Sequence, residues 1–152
     1  MKYLIVLLLS TLFLYADPKV DEAMKYFWDQ DYDKAHTLLK NLADRGNAEA
    51  AYRIANMYEF GHGVTQDYGT AHYYYKVAAN GGDSISMYIV GMHFFKGRGA
   101  EGDMEKCLYW LKKAARKGNR KAAYTLGYFF EYGIGVKQSR YWKNYWYKRA
   151  KE

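Results

Sequence analysis

A catalytic site needs a nucleophile beside a base, a carboxylate pair or a set of metal ligands, and this sequence supplies few candidates for any of them. It has four histidines, His36, His62, His72 and His93, and one cysteine, Cys107. The histidines fall in different segments without ligand spacing, so no metal site is expected. Only His62, between two glycines, stands where exposure is expected. No Ser-x-x-Lys, Gly-x-Ser-x-Gly or His-Glu-x-x-His occurs, and these are the local arrangements that activate a serine or hold a catalytic zinc. No catalytic residue, metal or cofactor is implied. Cys107 has no partner for an intramolecular disulfide, and its place on an apolar helical stripe predicts a small core residue, not a reactive thiolate.

The residue types that do stand out are suited to binding. There are eighteen tyrosines, and the charge is uneven along the chain. Asp17 to Asp103 carries nine basic and thirteen acidic residues, whereas Met104 to Glu152 carries thirteen basic and three acidic. Near the C-terminus, Trp142, Tyr145 and Trp146 are interleaved with Arg140, Lys143, Lys148 and Arg149. Such a segment suits an anionic membrane surface, an acidic protein or an anionic cell-wall polymer. The competing reading is a solvated terminal helix whose rings cover the end of the fold.

The elements that position these residues begin after residue 16. Lys2 is followed by an apolar run from Tyr3 to Tyr15, too short to span a bilayer and patterned as a signal peptide, with cleavage expected after Ala16. No cysteine follows that site, which disfavours lipoprotein processing. The alternative is an uncleaved anchor. A periplasmic or secreted protein is expected, and nucleic acid, which fits the charge, does not fit that location. The remainder has the length of one domain, and one proline with fourteen glycines predicts helices punctuated by glycine.

The sequence repeats every 36 residues: Gly46, Gly82 and Gly118 align, as do Gly61, Gly97 and Gly133, and Gly63, Gly99 and Gly135. Such a period marks stacked helical hairpins. Apolar spacing predicts one series of helices over 49–60, 84–96 and 120–132 (series A) and a second over 68–80, 104–117 and 140–150 (series B). Asp67, Asp103 and Ser139 stand where they can cap series B, and Asn47, Asp83 and Asn119 where they can cap series A. A shortened first unit has Asp17-Pro18 as a helix start and a second helix over 32–45. The expected organisation is a signal peptide at 1–16, a capping hairpin at 17–46, and repeats at 47–82, 83–118 and 119–152. The last unit departs from the pattern, with Lys143 where Ala71 and Cys107 stand in the others.

In the first full unit Ile54-Ala55, Tyr58, Gly61-His62-Gly63-Val64, Asp67, Ala71, Tyr74-Tyr75 and Ala78-Ala79 form a pattern that resembles a Sel-one-like repeat, a relative of the tetratricopeptide repeat. Val90-Gly91, Phe94, Gly97-Arg98-Gly99 and Trp110-Leu111 repeat it, and Leu126-Gly127, Phe130, Gly133-Ile134-Gly135 and Trp146-Tyr147 repeat it again. The resemblance implies an all-α superhelical solenoid in which series A lines a concave groove. Carried over, the groove columns are Tyr52, Tyr88 and Tyr124; Asn56, Met92 and Tyr128; and Glu59, Phe95 and Glu131. Each tyrosine would offer apolar area and a hydroxyl to a peptide or glycan at little cost in rotamer entropy. A protein or peptide partner is thus expected, with the protein as an adaptor or regulator. Some secreted relatives bind penicillin-like compounds and are assigned a β-lactamase activity, which makes a peptidoglycan fragment or β-lactam the alternative ligand. Those relatives carry a cysteine pair in each repeat, and this chain does not.

Overall fold

The computed structural model describes residues 17–152, and the segment expected to be a signal peptide lies outside the described residues. Eight helices and no strand occur among the described residues: α1 (Pro18–Trp28), α2 (Tyr32–Asp44), α3 (Ala48–Phe60), α4 (Tyr68–Asn80), α5 (Ser84–Lys96), α6 (Met104–Arg116), α7 (Arg120–Tyr132) and α8 (Arg140–Lys151). None of them is long and apolar enough to cross a membrane. The bounds agree with the periodicity to within a residue or two, the uncertainty inherent in helix ends.

Each helix starts where a side chain can satisfy its free amides. Asp17, Asp31, Asn47, Asp67, Asp83, Asp103, Asn119 and Ser139 all accept from backbone N–H groups in the first turn, where four donors otherwise lack an intrahelical partner. Helices α3, α5 and α7 each stop at a glycine in the left-handed region, Gly61, Gly97 and Gly133. The first hairpin lacks a glycine at its turn and uses Gln30 at φ 64°, which no local signal marked.

Two glycine positions show why the columns need so small a residue. Gly99 has φ +68°, and a Cβ there would lie 1.9 Å from the carbonyl oxygen of Tyr68, so this loop passes directly over the start of α4. A Cβ on Gly127 would meet the Tyr147 ring at 2.6 Å, which lets α7 and α8 approach closely.

The substantial packing is between helices consecutive in sequence, with a smaller contact of α2 with α4. That is the connectivity of a solenoid, in which each hairpin rests only on its neighbours. One continuous core runs through it, from Val20 and Leu39 through Ile54, Tyr75 and Val90 to Leu111, Leu126 and Trp146. Cys107 is fully buried in it, and desolvation pushes its thiol up to about 12. Lys143, which stands at the position of Ala71 and Cys107, is turned to Glu131 at 3.7 Å and stays half-exposed.

Candidate functional site

The A-series helices enclose a groove of about 680 Å³ between α3, α5 and the first turn of α7. Tyr52, Asn56 and Tyr88 line it, together with Glu59, Tyr75, Ile85 and Ile89. A second depression of about 250 Å³ shares Tyr52, Asn56 and Phe60 and continues towards α1 through Met24, Phe27 and Trp28. Ile85 and Phe60 are more than half exposed, so the walls offer apolar area that nothing among the described residues covers.

The floor is held by a buried polar layer. Tyr75 donates through its hydroxyl to Asn56 Oδ1 at 2.9 Å, and Asn56 Nδ2 donates to the Tyr52 carbonyl at 2.9 Å. Glu59, only 7% exposed, accepts from Arg98 Nη1 at 3.1 Å, and Arg98 also lies over the Tyr68 ring at 4.7 Å. His93 Nε2 is 3.4 Å from the other Glu59 oxygen, and the His93 and His72 rings stack at 5.5 Å. Burial drives both imidazoles down to about 4, helped by the His93 ring beside His72 and by the Arg98 charge beside His93. His93 therefore meets Glu59 as a neutral ring, and Arg98 supplies the counter-charge. Burial, with the Glu59 charge nearby, raises the Tyr75 phenol, which stays protonated as a donor. The Tyr52 ring lies against the bonded Tyr75 ring at 6.1 Å, which restricts its orientation.

The groove does not gather all of the predicted columns. Met92 is half-buried against the core. Phe95 rests on Phe129 at 5.2 Å, Tyr124 on Tyr147 at 5.2 Å and Tyr128 on Tyr132 at 4.6 Å, and none of these four lines the groove. Glu131 accepts from the Tyr147 hydroxyl at 2.7 Å and pairs with Lys143. Sequence reasoning does not single out Tyr75, Ile85 or Ile89. The two isoleucines were detectable, since they stand three before and one after Tyr88 on one helical face.

At the C-terminus the expected cationic aromatic face is divided. Trp146 is 4% exposed and belongs to the core, because it stands in the same column as Tyr74 and Trp110. Lys143 is paired with Glu131. Trp142, Arg140 and Lys148 are exposed, while Arg149 is half-buried.

The model of the Sel1 repeat matches residues 29–47, 48–83, 84–119 and 120–141. The fold is similar to the crystal structure of a Sel1 repeat protein from Oxalobacter formigenes, with TM-score 0.77 and 28% identity over 85% of this chain and 53% of that one. It is also similar to a protective antigen of uropathogenic Escherichia coli that displays an SLR fold, with TM-score 0.82 and 26% identity over 88% of this chain and 29% of the antigen. The chain thus spans about half the length of the first and under a third of the second. Helicobacter pylori cysteine rich protein B shares the fold alone, with TM-score 0.57 and 19% identity over 68% of this chain and 91% of that one. No curated protein matches the sequence.

Proposed function

We propose that this chain, which belongs to the Sel1 repeat family, is an exported scaffold that holds a segment of a partner protein in the groove between α3 and α5. Sel1 repeats typically mediate protein–protein interaction, and the observation that carries the reading here is the groove itself. It is lined by the half-buried Tyr52 and Tyr88 and the exposed Ile85, with Tyr52 set against Tyr75, whose hydroxyl is bonded to Asn56. Rings of fixed orientation bury apolar area on contact without a further loss of rotamer freedom, while their hydroxyls can bond a peptide backbone. The adaptor role is supported by a groove whose one carboxylate, Glu59, is already engaged by Arg98. Export rests on Lys2 and the apolar run from Tyr3 to Tyr15.

A photo-crosslinking residue placed at Ile85 in the native cell should give an adduct with one protein. Adding Tyr52→Ala and Tyr88→Ala to that variant should abolish the adduct. The same crosslinker at Tyr128, outside the groove, should give none. Equal adducts at Ile85 and Tyr128, or an adduct indifferent to the tyrosine substitutions, would remove the groove from the reading. Mass analysis of the mature protein tests export, with Asp17 as the expected N-terminus.

A further inference from the structure

On the B-series side, away from the groove, a pocket of about 310 Å³ is lined by Lys112 and Arg116 of α6, Phe130 of α7, and Trp142, Tyr145 and Trp146 of α8. We propose that this pocket binds a small carboxylate borne on a six-membered ring. The inference comes from comparing the same columns along the solenoid. Two periods earlier, Lys40, Asp44 and Tyr74 stand where Lys112, Arg116 and Trp146 stand here. There the fold supplies its own carboxylate: Asp44 accepts from Lys40 Nζ at 2.6 Å and from the Tyr74 hydroxyl at 3.2 Å. One period earlier, Lys106 Nζ lies over the Phe94 ring at 5.5 Å, and the equivalent of that lysine in the last unit is Trp142.

In the last unit the donors persist and the acceptor is gone. Arg116 replaces the aspartate, and among the described residues neither Lys112 nor Arg116 has a carboxylate within 4.0 Å. Trp146 is 4% exposed, and its indole N–H has no hydrogen-bond partner among the described residues. Two cations and a residue with an unsatisfied indole donor thus line the pocket, at the columns where the first unit carries its own carboxylate. A carboxylate from outside completes the set, with the guanidinium as its natural bidentate partner.

The rings decide what else the ligand carries. Trp142 and Tyr145 are 43% and 38% exposed and meet edge to face at 5.5 Å, with Phe130 at 6.1 Å from Trp142. They offer flat apolar faces to one ring, aromatic or saturated, and the pocket is at the small end of the size range of ligand sites.

The test is titration of the whole protein with benzoate and with glucuronate, followed by tryptophan fluorescence and calorimetry, with sulfate and methyl benzoate as comparisons. Saturable binding of at least one ring carboxylate is expected, with sulfate and the uncharged ester much weaker. Binding of glucuronate alone assigns the site to sugar acids, and of benzoate alone to aryl acids. Arg116→Asp, which restores the arrangement of the first unit, should weaken binding by at least about tenfold, the effect of removing one charge-assisted bond. Arg116 is exposed, so circular dichroism should show that variant folded, and Trp142→Ala should lose the fluorescence response. Three results would overturn the proposal: no saturable response to either acid, sulfate binding as tightly as the better acid, or native affinity in Arg116→Asp.

Discussion

Acidification from pH 7 to pH 5 is expected to destabilise the fold by about 4 kcal/mol through His72 and His93. The rings are 7% and 4% exposed, and in the folded chain both titrate near 4 against an ordinary 6.5. The charged and titratable groups around them are Glu59, Tyr75, Lys76, Lys96 and Arg98, and the one carboxylate among them is taken by Arg98. As pH falls below 6.5 the unfolded chain accepts two protons that the folded chain refuses. The contribution to stability is therefore complete above the unfolded value and is lost progressively as pH falls towards 4. Each pH unit in that window costs about 1.4 kcal/mol per histidine, hence about 2 kcal/mol each by pH 5. Burial and Lys40 also lower the half-buried His36, which adds to the loss in the same direction. The depressed carboxylates Asp44, Asp67 and Asp103 lose their contribution only as pH falls below their ordinary 3.8, outside this range. Against a total of about 5–15 kcal/mol for a domain, the loss is large. Urea unfolding followed by circular dichroism at pH 7, 6 and 5 measures it. His72→Phe keeps the contact with Phe94, whose ring lies 5.0 Å away, and should remove about half of the slope. A stability flat between pH 7 and pH 5, or a full slope in His72→Phe, would refute this account of the two rings.

The glycine columns should not be equally sensitive. Gly99→Ala has to adopt φ +68° and meets a backbone oxygen that cannot yield, so a loss of about 2–4 kcal/mol is expected in urea titrations. Gly91→Ala meets only the Leu111 side chain and a carbonyl at 3.1–3.3 Å, and the roughly 1 kcal/mol of helix propensity that alanine gains should hold its net effect within about 1 kcal/mol. Cys107, fully buried with its thiol pushed up to about 12, should resist thiol reagents in native buffer at pH 8. Its modification in rising urea should track the loss of helix signal, and fast modification of the native protein would show that the core is open at α6.

Helix positions, caps and the hairpin period were all legible in the amino-acid sequence, because each depends on interactions within a few residues or on a repeated spacing. Asp67 and Asp103 cap a helix whatever lies beyond it, and Gly61, Gly97 and Gly133 end one for reasons of backbone geometry. The burial of Cys107 followed from the apolar helical stripe on which it stands. The turn at Gln30 was not legible, since glutamine carries no preference for a left-handed conformation.

What only the tertiary structure decided is which members of a column share an environment. Tyr52, Tyr88 and Tyr124 are equivalent in sequence, and Tyr124 packs on Tyr147 as Tyr52 packs on Tyr75, yet of the three only Tyr52 and Tyr88 line the groove between α3 and α5. Lys40 and Lys112 are equivalent as well: Asp44, one turn on in the same helix, pairs with the first, whereas the second lies at a pocket lined by Phe130, Trp142 and Tyr145 of later helices. Periodicity assigns a residue to a position within its hairpin. Its chemistry depends on the side chains that other helices bring against it, and those stand well outside its own helix in the chain.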